Sequence, residues 1–127
     1  MITLEQQYAR DIYPLVKGYA RAHPEDSKER KEYGSMAHRL PILVQTAGLV
    51  QALAFVDAKG KNPHKELLSH LALVVNGSGD INALLSLSRD AEFREYRYLT
   101  QRVNLALSWF KRFAQSVLKV DPGTEED

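Results

Sequence analysis

A run of seventeen residues without a charge, LPILVQTAGLVQALAFV at positions 40–56, constrains the fold more than any other stretch. The chain as a whole is 26% charged. A transmembrane helix needs about 20 mostly apolar residues, and three polar side chains interrupt this shorter run. Pro41 and Gly48 further divide it between two helices. The run therefore predicts the buried core of a helical bundle, with a surface kept for a neighbouring subunit as the alternative.

Length and composition indicate one cysteine-free domain. The chain has 127 residues, which fits a single domain with its own core. It has no cysteine, which excludes disulfides and cysteine-ligated zinc and suits a reducing cytosol. The opening MITLEQQYAR lacks the features of a secretory signal, so we expect a cytoplasmic protein.

The charge of the chain is uneven. The net charge is +1, but the last seven residues, DPGTEED, hold four acids. Without them, 17 basic residues stand against 12 acidic ones, a balance of +5. Such an excess fits a surface that faces nucleic acid, although ordinary soluble domains also show it. We expect a single helical domain at 1–120 and an acidic, disordered tail at 121–127.

Apolar periodicity and capping residues predict an all-α fold, a compact bundle of about five or six helices with a long C-terminal helix. The first helix begins at Thr3, where Thr3 and Gln6 have the spacing of a capping box. Pro14 should kink this helix. Its expected apolar face comprises Leu4, Tyr8, Ile12, Val16 and Tyr19.

The middle helices follow from similar signals. Ser27 should cap a second helix that runs to about Thr46, with Pro41 interrupting or kinking it. A third helix over 49–59 should be buried on most sides, because it has few polar residues. Asn62 should cap a fourth helix that Pro63 opens, with an apolar side formed by Leu67, Leu68, Leu71, Val74 and Val75.

The final helices are predicted in the same way. Asp80 should cap a short fifth helix. Ser88 should start a long last helix that reaches about Val120. Its expected core stripe comprises Leu99, Val103, Ala106, Phe110, Phe113 and Val117.

The histidines give little support for a metal site. Glu66 and His70 are four residues apart and share a helix face. His64 is six residues from His70, which is poor spacing for one metal ion. We therefore interpret Glu66 and His70 as a surface pair and expect neither a metal nor a cofactor.

Catalytic motifs are also missing. Helical ribonucleases of the HEPN kind place a histidine after an arginine and four to six intervening residues, whereas Arg30 and His38 have seven between them. The NGSGD segment lacks the Gly-Lys-Ser/Thr of a phosphate-binding loop, and no serine lies in a nucleophile elbow. The sequence predicts a protein that is not an enzyme and has no catalytic residues.

Basic residues recur on two helices. On the first, Arg10, Lys17 and Arg21 share a stripe. On the last, a second stripe contains Arg102, Trp109, Arg112 and Lys119, with Lys111 beside it. Lysine and arginine neutralise phosphates and an aromatic ring can stack on an unpaired base. A solvated helix face and a core tryptophan would produce the same pattern, so both interpretations stay open.

Three segments together resemble a known family. The longest, EYGSMAHRLPILVQTAGLVQALAFVDAKG at 32–60, is similar to the signature of the small helical subunit of Cmr-type (type III-B) CRISPR effector complexes. The matching positions are Tyr33, Ser35, Arg39, Pro41, Gly48, Leu49, Gln51, Leu53, Ala54 and Phe55. TLEQ at 3–6 and LSWFKRFAQSVLK at 107–119 look like the first and last helices of the family, whereas 62–95 matches by helical pattern only.

The resemblance implies a non-catalytic subunit of an RNA-guided, antiviral complex. Copies of such a subunit stack into a short filament along the paired guide and target RNA. The implied partners are the large signalling subunit, the backbone subunits, further copies of the chain and the target RNA. Because the guide supplies sequence specificity, basic side chains need contact only the target backbone.

Six residues are our candidates for RNA binding. Arg39, Lys111 and Arg112 rest on matched family positions and charge, whereas Lys17, Arg21 and Arg102 rest on the stripes alone. A free-standing helical adaptor that binds only protein is the main alternative. A small nuclease is a third possibility, against which the missing motifs argue.

Overall fold

The computed structural model describes residues 1–123, which form six α-helices and no strand. The helices are α1 (Leu4–Ala22), α2 (Lys28–Ala47), α3 (Leu49–Lys59), α4 (Asn62–Asn76), α5 (Ile81–Asp90) and α6 (Phe93–Ser116). α2 packs against α3, α4 and α6, and α6 also packs against α1 and α4. The all-α bundle with a long last helix is confirmed.

Local capping at the start of α1 is as predicted. The Thr3 side chain accepts a hydrogen bond from the Gln6 amide, and the Gln6 side chain accepts one from the Thr3 amide. Four of the five expected apolar residues are buried, but Leu4 is 49% exposed because the whole first turn, residues 4–7, is exposed. α1 continues through Pro14 without interruption.

The charge-free run is divided as expected. Gly48 has a φ of 89°, a backbone conformation that favours glycine. Its amide donates a hydrogen bond to the Val44 carbonyl, which ends α2 before α3 begins. Pro41 lies inside α2 without ending it. α3 is not buried on most sides, since Phe55 is 42% exposed and only one face packs on the bundle.

No single helix among the described residues is long and apolar enough to cross a membrane. Taken together, α4 and α5 meet the same criterion of length and composition, but they are separated by a 63° bend.

Two predicted helix boundaries are wrong. Asn62 is the first residue of α4 rather than its cap. Lys61 occupies the cap position, and the Lys61 amine pairs with the Glu32 carboxylate at 2.9 Å. Ser88 lies inside α5, where its hydroxyl donates to the Leu85 carbonyl instead of capping α6. Extended backbone at residues 91–92 separates α5 from α6, and neither glycine nor proline marks this break in the sequence.

The chain after α6 is held across α2. Residues 117–120, which we call the strap, follow the last helical turn and include a non-glycine residue, Lys119, at a φ of 63°. Three residues of α2, each four apart, contact it. Arg30 donates to two strap carbonyls, Gly34 lies under the Val120 side chain, and His38 Nε2 lies 2.8 Å from the Val120 carbonyl.

The long last helix is therefore shorter than predicted, because the chain turns into the strap after Ser116. The predicted disordered tail falls mostly on residues 124–127, which lie outside the described residues.

Replacing Gly34 by Ala tests the strap. A Cβ at Gly34 would lie 2.6 Å from Val120 Cβ, so this overpacking should lower the free energy of unfolding by about 1–3 kcal/mol in urea denaturation. Gly18 is the matched control, because a Cβ there meets nothing within 4 Å. Gly18→Ala should raise stability by about 0.5–1 kcal/mol, as expected for a helix interior. Equal effects at both positions would contradict the strap contact.

Candidate nucleic-acid interface

α1 and α6 lie side by side and run in the same direction. Near the start of α1, Tyr8 lies close enough to Arg102 for the guanidinium to lower the pKa of its hydroxyl. Near its end, Arg30 donates both to the Ala20 carbonyl and to the Val117 carbonyl that follows α6. Between these points, the rings of Tyr13 and Phe113 meet edge to face with centroids 5.4 Å apart. The C-terminal halves of the two helices are therefore neighbours.

Four of the six candidate residues belong to these neighbouring halves. Lys17 is half-buried, and Arg21, Lys111 and Arg112 are exposed. Neither residues 12–22 of α1 nor residues 96–116 of α6 include an aspartate or glutamate. We call Lys17, Arg21, Lys111 and Arg112 the basic face. Its charge is suited to phosphate groups, because no acidic side chain of these two segments offsets it.

Arg102 serves a different purpose. Its guanidinium donates to the Val75 carbonyl in the last turn of α4 at 3.1 Å and lies over the Tyr98 ring. A cation at the C-terminus of a helix satisfies an orphan carbonyl and interacts favourably with the helix dipole. Arg102 also opposes, without cancelling, the rise in the pKa of Tyr8 that burial causes. Its charge is thus used between helices, and Arg102 is not part of the basic face.

Two further residues of the predicted stripes differ from expectation. Trp109 is half-buried, packs against the core and lies against Phe113 of the same helix with ring centroids 5.5 Å apart, so it is not an open stacking surface. Lys119 lies in the strap and not on α6. The predicted stripe of the last helix is therefore not continuous.

Arg39, the remaining candidate, is exposed on α2. It comes from a different helix than the basic face. Its neighbour His38 is turned into the protein and holds the strap.

Sequence reasoning missed a cluster at the start of α6. Phe93 is 75% exposed and Tyr98 is 66% exposed, and together with Arg94 and Arg97 they surround a small surface pocket. The Arg97 guanidinium lies over the Phe93 ring. We call these four residues the arginine–aromatic patch. The signal was present in FREYRY, where aromatic and arginine residues alternate at one-turn spacing.

A groove lies between α1 and α4. Its wider part has a volume of about 700 Å³ and extends from Pro14 to His23 on α1 and from Asn62 to His70 on α4, with Glu29 at its mouth. A narrower part continues past Pro14 and Leu15 to Leu73 and Val74. Pro14 and Leu15 line both parts, so the groove is continuous.

Polar side chains line the wider part of the groove. The Tyr33 hydroxyl lies 2.7 Å from His70 Nδ1, and His70 Nε2 lies 3.7 Å from a Glu66 oxygen. Burial lowers the pKa of His70, and the Glu66 carboxylate offsets part of this shift. Burial also raises the pKa of Tyr19, with the carboxylates of Glu66 and Glu29 adding to the effect. Glu66 and His70 are therefore more than a surface pair.

The described residues contain no group of three or more histidine, aspartate or glutamate side chains able to hold a metal ion. The two residues closest to the helical-ribonuclease pattern, Arg30 and His38, are both buried against the strap. Both side chains are used to hold the strap.

Arg102→Ala tests whether Arg102 stabilises the contact between α6 and α4. Loss of a charged donor from the Val75 carbonyl should lower the free energy of unfolding by about 1.5–3 kcal/mol. Thermal or urea unfolding measures this change. Arg112→Ala is the matched control, because Arg112 is exposed, and it should leave stability within about 0.5 kcal/mol. Equal stability of the two variants would contradict the role of Arg102 between helices.

His70 should make stability depend on pH. Its pKa is lower in the folded chain than its ordinary value of 6.5, so the unfolded chain binds more protons as the pH falls below that value. The free energy of unfolding should therefore decrease from pH 6.5 down to the folded pKa. His70→Gln should remove this part of the decrease in urea titrations at several pH values.

Glu66→Gln is the control for the same titration. Without the carboxylate, the pKa of His70 should fall further, and the loss of stability should extend to lower pH. An unchanged pH dependence in His70→Gln would contradict the assignment.

Comparison with known proteins agrees with this fold. Residues 4–117 match the family described as CRISPR-associated protein (Cas_Cmr5). A Thermus thermophilus protein named CRISPR system Cmr subunit Cmr5 is 44% identical over 119 residues, covering 94% of this chain and 99% of the relative.

A solved structure agrees as well. The crystal structure of a CRISPR-associated Cmr5 family protein from Thermus thermophilus is 44% identical and superimposes with a TM-score of 0.81. The match covers 92% of this chain and 98% of the solved chain. On the family match and the identity of these relatives, the chain belongs to the Cmr5 family of small CRISPR Cmr subunits.

Proposed function

We propose that this chain is a non-catalytic Cmr subunit that stacks with further copies of itself and contacts the target RNA backbone during antiviral defence. The basic face is the observation that carries the RNA contact. In support of this contact, Lys17 and Arg21 on α1 and Lys111 and Arg112 on α6 belong to the C-terminal halves of two packed helices, in segments without acidic residues. Family membership supports partnership with the other Cmr subunits rather than a free-standing adaptor.

The chemistry of the basic face suits contact with a backbone of any sequence. Lysine and arginine neutralise phosphates without distinguishing bases, and the guide RNA reads the target by base pairing. Trp109 is half-buried and packed against Phe113, so it does not present an open ring on which a base could stack. The basic face therefore offers electrostatic contact rather than base recognition. Arg39 is a further candidate on α2, at a position that matches the family signature.

The proposed partners follow from this role. They are the large signalling subunit, the backbone subunits, further copies of the chain, and target RNA paired to the guide. The proposed place of action is the cytoplasm, where guide-bound complexes meet foreign transcripts. Catalysis belongs to other subunits in this proposal, which is supported by the structural roles of Arg30 and His38.

The decisive experiment is reconstitution of the complex with and without the chain. Target-RNA binding should be weaker or less resistant to salt when the chain is absent. Unchanged assembly and unchanged target engagement would contradict the proposed function.

A double substitution tests the basic face. In the reconstituted complex, Lys111→Ala with Arg112→Ala should weaken target binding about equally for unrelated guide–target pairs. The salt dependence should become shallower by about one unit for each phosphate that is no longer neutralised. Filter binding across a salt series measures both effects.

Lys28→Ala with Lys31→Ala is the matched control for this double substitution. Lys28 and Lys31 are exposed on α2 and outside the basic face, so their removal should change the salt dependence little. A loss of binding confined to certain target sequences, or an equal loss in the control, would contradict a backbone contact by the basic face.

A further inference from the structure

The groove between α1 and α4 has an acidic mouth. Glu29 and Glu66 both line its wider part and both are exposed. Their only ionisable neighbour within ion-pairing distance, among residues 1–123, is His70, whose lowered pKa keeps it mostly neutral at pH 7. The wider part of the groove therefore carries net negative charge.

The walls of this groove are shaped to receive a side chain from outside. Gly18 leaves the α1 wall open, and a Cβ there would meet nothing within 4 Å. Glycine in a helix interior costs about 0.5–1 kcal/mol relative to alanine, so packing within the chain does not explain its presence. Pro14 and Ala22 are exposed and Leu15 is half-buried, so the α1 wall offers apolar contact surface next to the two carboxylates.

The arginine–aromatic patch is complementary to this groove. Its two aromatic rings are largely exposed, and its two arginines form no ion pair with an acid among the described residues. Arginine and large aromatic residues contribute most of the binding energy in protein interfaces. Arginine forms bidentate hydrogen bonds with carboxylates, and its planar guanidinium stacks on aromatic rings.

The groove mouth and the patch lie at opposite ends of the bundle. The patch precedes Arg102 on α6, and Arg102 lies beside Tyr8 near the start of α1. The Tyr19 hydroxyl near the end of α1 donates to the Glu29 carbonyl at the groove mouth. Tyr8 and Tyr19 are separated by eleven residues of helix, which is about 16 Å along its axis. Two complementary surfaces at opposite ends generate a head-to-tail contact that repeats.

We infer that the arginine–aromatic patch of one copy docks into the acidic groove of the next copy of the same chain. Arg94 and Arg97 pair with Glu29 and Glu66, and the exposed rings cover the apolar wall. This inference rests on the stacking in the proposed function and assigns it a pair of surfaces. The basic face is not part of the contact, which leaves it available to RNA.

Charge reversal in the reconstituted complex tests this contact. The groove variant carries Glu29→Arg and Glu66→Arg, and the patch variant carries Arg94→Glu and Arg97→Glu. Native mass spectrometry counts the copies of the chain per complex. Each variant alone should reduce the count to one copy, because like charges then oppose the contact. A chain with all four substitutions should restore the original count.

A mixture of the two variants provides a sharper result. The unchanged patch of the groove variant can enter the unchanged groove of the patch variant, and the reversed patch of the patch variant is complementary in charge to the reversed groove of the groove variant. The mixture should therefore restore the original count, with the two variants alternating, although each variant alone gives one copy. Lys59→Glu with Lys119→Glu is the matched control, since it reverses two exposed charges outside both the contact and the basic face and should leave the count unchanged.

The outcomes distinguish this inference from the proposed function. Several copies that neither reversal removes would overturn the inference and leave the stacking intact. A count reduced in the single variants but not restored by all four substitutions would overturn the pairing of these two surfaces. If the unmodified complex holds one copy, the proposed stacking itself fails. If the patch variant keeps its copies and loses target RNA instead, the patch binds nucleic acid and the inference is wrong.

Discussion

The Arg30 guanidinium holds the two ends of the structure together. It donates to the carbonyls of Ala20 and His23 at the end of α1 and to those of Val117 and Leu118 after α6. Arg30 is only 8% exposed, and a buried cation is stable only when its donors are satisfied. Carbonyls at helix C-termini are orphan acceptors with negative partial charge, so they suit this role. One side chain thus fixes α1, α2 and the strap relative to one another.

The distribution of charge follows from that arrangement. Because α1 and α6 end at the same place, their basic C-terminal halves become neighbours, although Lys17 and Lys111 are distant in sequence. The acidic residues of the groove lie on the other side of α1, and the arginine–aromatic patch lies at the opposite end of α6. A near-neutral chain thereby has separate positive and negative surfaces. Such separation suits a subunit with one surface for RNA and others for protein.

Helix starts were predicted well where a cap acts within a few residues. Thr3, Ser27 and Asp80 all accept a hydrogen bond from the amide three residues later, as local sequence indicates. The start of α6 was missed, because the Ser88 hydroxyl has a closer acceptor in the Leu85 carbonyl. In the first turn of α6, the Tyr96 hydroxyl accepts a hydrogen bond from the Val50 amide at the start of α3. This contact joins residues far apart in the chain, so no local sequence pattern predicts it.

The candidate site was predicted in part for the same reason. Lysine and arginine on a helix can be counted in sequence, but Arg102 points to an α4 carbonyl and Trp109 packs on Phe113. Which basic residues remain on the surface depends on the direction from which neighbouring helices approach, and helical spacing carries no information on that.

Sequence alone decided the helical content, the break at Gly48 and the family, since these depend on local backbone preference and on a specific run of residues. Only the tertiary structure decided which faces of these helices are buried. The charge-free run illustrates both, because Leu40 and Leu53 are fully buried whereas Ile42 and Phe55 remain exposed. Burial depends on the packing of α2 against α3, α4 and α6, which brings together residues far apart in the chain.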